Sequence, residues 1–334
     1  PGVAQATLAL HAPGLLAFAF GLTSQRPGWT IAGAAIMATG ILAFAANLGA
    51  TLRAAPRRDL TWIALALADL FLVLTVVLGL ALALNLRSGF LGADRIVALA
   101  VHLHVALVGW VLMVMVGVGH KLLPMFLLSH GADERWGRWA VGLLAGGIGL
   151  LFALHHTQGP WVRILPAPLL VAGAGAFLLQ ARAFYRHRRR PALDPGMRTV
   201  AASLGVLGGA VVLGAVLSVT GFARPHLATA YVAALILGIS LFVAAHYYKI
   251  LPFLVWYHRY APRAGKGSVT TVAQLYSARA AAWAGRLLTA GTVALVGGVA
   301  LGAPLPVRLG ALAVLGGTLV EALQMLTLSR RRPA

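Results

Sequence analysis

The stretch His102 to Phe126, HLHVALVGWVLMVMVGVGHKLLPMF, decides how this chain is read. It is a long apolar run with histidines near both ends, and hydrocarbon does not hold ionisable side chains without a partner, a cavity or a ligand. The whole chain has the same character. Its 334 residues are 60% hydrophobic and 10% charged, with a mean hydropathy of +0.87. A water-soluble domain is about half apolar and a quarter charged, so this chain belongs in a bilayer. It contains no Cys, which excludes disulfides, thiolate metal sites, iron–sulfur clusters and CxxCH haem attachment together. A bound metal would have to be held by His, Met, carboxylate or backbone.

Apolar runs of about 20 residues fall at roughly 3–22, 29–52, 60–86, 95–123, 138–156, 162–184, 198–221, 226–254, 281–301 and 306–329. Ten spans predict an all-α, polytopic membrane protein forming one transmembrane domain over residues 1–334. The formal charge of +20 is explained by topology rather than by nucleic acid, because the basic residues sit in short loops between spans and not on one soluble face. Loops after the odd-numbered spans carry Arg26, Arg87, Arg95, Arg163, Arg224 and Arg308. Most of the 27 basic residues, including Arg53, Arg57, Arg58, the run from Arg186 to Arg190 and the tail Arg330 to Arg332, lie toward the other side. Positive loops stay inside, so both visible termini are expected in the cytoplasm of a bacterial inner membrane.

The sequence also repeats. GHKLLPMFLLSH and AHYYKILPFLVWYH each place a histidine (His120, His246) before a Leu-Pro pair (Leu123-Pro124, Leu251-Pro252) and a second histidine after it (His130, His258). The unit reads as four helices, about 1–130 and 131–260, with 261–334 opening a third. Three complete units would need two more helices, expected before Pro1, where the chain starts without Met.

His102 and His104 enter the fourth span from the side opposite the arginines. At about 100° per residue they point roughly 200° apart, so one helix could serve two cofactors. Imidazole is the usual protein ligand of haem iron and copper. His155 and His156 close the fifth span and His226 opens the eighth on the same outer side. His155 and His156 read equally as ligands or as a solvated loop beside Gln158-Gly159-Pro160, and for His226, beside Arg224-Pro225, an interfacial role competes. His120 and His246, near Lys121 and Lys249, read as headgroup-level anchors or as lining a cofactor or proton path. His130 and His258 read as solvated, and His11 as either a ligand or a packing residue. Two acids fall within spans, Asp69 and Glu321, and both are candidates for proton transfer. For Asp69 a structural partner such as a His or Asn47 accounts for the residue equally well. Glycine pairs such as Gly146-Gly147 and Gly316-Gly317 need only close helix contact.

The HLH pair, the glycine-dotted run after it and Leu123-Pro124 together resemble the haem-ligating helix of the haem–copper oxidase catalytic subunit and nitric oxide reductase superfamily. The HKLLPMFLLSH and HYYKILPFLVWYHRY segments look more like those of small oxidase-subunit-like bacterial membrane proteins. The resemblance implies three four-helix arcs, haem b held by His102 and His104 with His226 and His246 as further cofactor-binding candidates, and copper at His102, His104, His155 and His156. It also implies one-electron chemistry, with reduction of O₂ or NO as an oxidoreductase and a cytochrome c, cupredoxin or quinol as electron donor. Partners would then be membrane lipid and a second copy of the chain, not nucleic acid. The chain departs from the superfamily in having its adjacent histidine pair after the HxH helix and no HPExY-like stretch. Two other readings stand beside it. One is a non-enzymatic haem or copper protein similar to the NnrS family of nitric oxide tolerance, and the other a proton-coupled transporter working through Asp69 and Glu321 without haem.

Overall fold

A computed structural model describes residues 2–157, 159–221, 224–263 and 270–331. Arg332 of the basic tail and Gln158 of the loop after His156 lie outside the described residues. The described chain is all-α and has no sheet, its one strand-like pairing being an isolated bridge between Ser129 and Arg188. Ten helices are long and apolar enough to cross a membrane. They are α1 Gly2–Thr23, α2 Pro27–Ala54, α3 Leu60–Ser88, α4 Arg95–Leu127, α5 Arg135–Leu154, α6 Trp161–Arg186, α7 Pro195–Thr220, α8 Pro225–Arg259, α9 Ala278–Leu301 and α10 Pro304–Arg330. Large apolar side chains such as Leu16, Val219 and Leu301 are 72, 77 and 82% exposed. Such surfaces are stable against lipid and not against water.

Local chemistry sets the helix ends. Asp59, Asp194 and Ser277 accept from the backbone N–H groups of Trp62, Met197 and Ala280, capping α3, α7 and α9. Proline opens α2, α7, α8 and α10, where its missing N–H costs nothing. Gly89 and Gly302, at φ 65°, close α3 and α9. Two of these caps, Asp194 and Ser277, start their helices three residues before the apolar window, α7 at Pro195 and α9 at Ala278, while α5 and α7 end at Leu154 and Thr220, short of theirs.

The chain separates into two compact units. The first runs through Lys121 and takes in Glu134–Phe177. In it α1 packs on α2, α2 on α3, and α3 on both α4 and α5. Lipid offers no hydrophobic drive between helices, so small residues that admit close approach do the packing. A Cβ on Gly33 would lie 2.3 Å from the Phe18 backbone nitrogen, and one on Gly21 would lie 2.2 Å from that of Thr30. Thr61 Oγ1 donates to the Gly117 carbonyl at 2.9 Å, tying α3 to α4.

The second unit takes Leu122–Asp133 and the chain from Leu178 onward. Here α8 packs on α7 and α9, α7 on α9, and α9 on α10. Gly291 and Gly310 meet backbone to backbone, each at 2.7 Å from the other's carbonyl oxygen once a Cβ is added. Tyr260, Leu275 and Leu328 form a buried cluster with Leu251, Val255, Trp256 and Met325 around it.

The repeated segments share a local device. Lys121, Leu123, Pro124 and His130 match Lys249, Leu251, Pro252 and His258 in one unbroken register. Both prolines lie inside helices. Lys121 Nζ bonds Asp59, the cap of α3, at 2.7 Å, and Lys249 bonds Asp194, the cap of α7. One aspartate therefore both caps a helix and holds the lysine of the next.

Candidate histidine site and buried carboxylates

His102 is directed by α3. Its ring lies over Gly79, where a Cβ would come within 3.1 Å of Cε1 and 3.7 Å of Nδ1. Even a methyl there would press the imidazole by a few tenths of an ångström. The Thr75 backbone is the ring's hydrogen-bonding neighbour, and Nδ1 is buried with no partner. A buried imidazole nitrogen left in that state calls for an explanation.

His104 is directed by its own helix. Its Nδ1 donates to the Ala100 carbonyl one turn back, at 2.8 Å, which places the proton on Nδ1 and turns Nε2 outward from the backbone. Ligating histidines are commonly oriented by such an outer bond. From Val105 to Leu112 the helix widens into a π-type stretch, in which the Met113 N–H reaches the Val108 carbonyl five residues back. Such widenings are rare and concentrate at functional sites. This one begins at the residue after His104 and ends at Leu112, between the HLH pair and His120.

The other histidines divide by burial. His155 and His156 stand in the turn just past α5, their ring centroids 3.5 Å apart, with His155 Nδ1 on the Phe152 carbonyl and its ring stacked on Phe152. His156 is exposed, as is His226 in the first turn of α8. His130 and His258 are exposed too. His120 and His246, by contrast, are buried at 6 and 5% exposure, so their rings face protein rather than outward. His120 lies against Gly137, with Nε2 3.2 Å from Glu134 Oε2. His246 donates Nδ1–H to the Phe242 carbonyl at 2.8 Å, lies between the rings of Phe126 and Phe242, and leaves Nε2 buried without a partner. The Nδ1 bond to the carbonyl one turn back is the one His104 makes on α4.

Both intramembrane acids are partly orphaned. Asp69 Oδ1 is buried without a partner while Oδ2 faces Gly49 of α2, with Arg53 one turn along as its nearest countercharge. Among the described residues no hydrogen bond or ion pair joins it to Asn47 or a histidine. Glu321 of α10 is 7% exposed with Oε1 unpartnered, beside Tyr248. The Tyr248 hydroxyl receives a bond from Gln324 at 3.1 Å, and Gln324 in turn accepts from the Ser277 N–H. The Tyr276 ring is tilted against that of Tyr248 with centroids 5.4 Å apart, and burial first, then the Asp194 charge, push its phenol up.

Imidazole is a donor that haem iron accepts, and His102 and His104 each offer one ring, on different sides of the helix. Among the described residues no three His, Asp or Glu side chains converge closely enough to share a metal ion. Sequence patterns alone could not show Gly79, Thr75 or the π-type stretch. The lysine clasps did leave a signal, in the matched KLLP and KILP and in an aspartate before each preceding helix. No family model matches this chain, and no curated protein matches it.

Proposed function

We propose that this chain is a multi-pass inner-membrane haem protein of the haem–copper oxidase-like type, with its arginine-rich side and both visible termini in the cytoplasm. The observation that carries this reading is the orientation of the HLH pair. His102 is set by Gly79 and Thr75 of α3, and His104 by the Ala100 carbonyl. Rings that merely fill space do not need two separate orienting devices on one turn of helix. A bound b-type haem supplies one-electron chemistry and a site for a diatomic gas. The protein's part is to hold the His104 ring at a fixed angle in the outer half of the bilayer, with His102 offered to the other side of the helix. His246 is the second candidate for a haem ligand, on the strength of its buried, unpartnered Nε2. Copper would draw on the adjacent His155 and His156, whose ring centroids stand 3.5 Å apart. A cytochrome c, cupredoxin or quinol is the fitting electron donor.

Purified protein with a Soret band that His104→Ala abolishes supports the reading. Consumption of O₂ or NO with a reductant then separates an oxidoreductase from an NnrS-like binder. One observation favours the haem-free transporter instead: Glu321 is a buried acid with an unpartnered oxygen. Proton uptake into vesicles by colourless protein, lost in Glu321→Gln, would establish it.

A further inference from the structure

The second unit carries a basic groove that the haem reading does not use. It has a volume of about 360 Å³ and runs between the starts of α7 and α9, lined by Pro195 and Arg198 from α7 and by Ala282, Arg286, Thr289 and Ala290 from α9. Its floor is closed by direct helix contact, since a Cβ on Gly285 would lie 2.2 Å from Thr199 Oγ1. Both arginines are exposed and lack an acidic partner among the described residues. Arg198 uses Nε on the Leu193 carbonyl. The nearest acid, Asp194, is taken by Lys249 and lies 3.9 Å from Arg190.

Arg286 sits eight residues into α9, about 12 Å along the helix axis. A guanidinium at that depth needs a countercharge or must reach toward the interface. It stacks over Trp283 at 5.2 Å, and that indole is 53% exposed. Beyond it the same face of α9 continues with Ala290 and the exposed Val293. Two cations thus stand at the mouth of a cleft whose far wall is apolar and faces outward.

We propose that this groove binds an anionic phospholipid, its phosphate held between Arg198 and Arg286 and one acyl chain lying along Ala290 and Val293. Basic pockets between helices on the cytoplasmic side suit such headgroups. The mixed lining separates a lipid from a free anion, because inorganic phosphate would gain nothing from the apolar wall.

The test uses the full chain in detergent, titrated with short-chain phosphatidylglycerol, phosphatidylcholine and inorganic phosphate and read by native mass spectrometry. Phosphatidylglycerol should bind at least tenfold more tightly than either of the others. Arg198→Gln/Arg286→Gln should weaken it about 30-fold, the effect of two surface cations. Arg57→Gln/Arg330→Gln, with the same net charge, should leave it unchanged. Should the double variant fail to fold, Arg286→Lys is expected to keep most of the binding and Arg198→Gln to lose about fivefold. Equal affinity for phosphatidylcholine, displacement by equimolar phosphate, or no loss in folded arginine variants would overturn the proposal.

Discussion

The two Asp–Lys clasps join equivalent positions of the repeat but differ in burial, and that difference fixes their energies. Lys121 and Asp59 have side chains 61 and 42% exposed, whereas Lys249 and Asp194 are 12 and 24% exposed. Replacing Asp by Asn keeps the helix cap and removes the charge, and Lys→Met keeps the stem. A double-mutant cycle on Asp59 and Lys121 should therefore give a coupling of about 0.2–1 kcal/mol, as for exposed pairs. At the second clasp a single substitution strands a partly buried charge, which costs about 3–5 kcal/mol. Arg190, 3.9 Å from Asp194, brings Lys249→Met toward the low end of that range. Thermal or denaturant unfolding in one detergent measures both cycles. Raising salt to 1 M, where screening acts within about 3 Å, should erase the first coupling and leave most of the second. Acid supplies a further check on the first clasp. The Lys121 ammonium, and after it the Trp62 N–H, hold the Asp59 carboxyl below its ordinary value. Its folded value lies under the unfolded one, so its stabilisation is complete above about pH 4 and is lost as pH falls through the folded value. Equal couplings, or an Asp59–Lys121 term indifferent to salt, would refute the reasoning.

Other outcomes follow from the same geometry. Gly33→Ala should destabilise the first unit by about 1–3 kcal/mol, because its Cβ meets backbone atoms of Phe18 and Gly14 that cannot rotate away; an unchanged melting midpoint would show that α1 and α2 are not so close. Gly79→Val should displace the His102 ring and alter the haem spectrum while the protein stays folded, and an unaltered spectrum would remove α3 from the site. Glu321→Gln should not lower the melting midpoint, since the charge it removes is buried with an unpartnered oxygen, so a fall of several degrees would reveal a partner for that carboxylate.

The ten spans were legible because hydrocarbon imposes one length and one composition on every helix. Their ends were less so, as a hydropathy window cannot see Asp194 or Ser277 capping a helix in polar surroundings. The histidines illustrate a different limit. Nearby lysines suggest anchors at His120 and His246, yet Lys121 and Lys249 reach the aspartates that cap α3 and α7 and the two imidazoles face protein, which a hydropathy pattern cannot show. Gly79 is one of many glycines in the sequence, and only the third dimension puts it beneath His102. The π-type stretch after His104 has no composition of its own, being a change of hydrogen-bond register within a run of apolar residues.

The most direct measurement is haem content per chain, taken by the pyridine haemochrome method on protein purified from haem-sufficient cells. The account predicts at least one haem per chain in the parent and in His226→Ala, with loss in folded His104→Ala. Parent protein that purifies without haem, or folded His104→Ala that keeps it in full, would contradict the central claim.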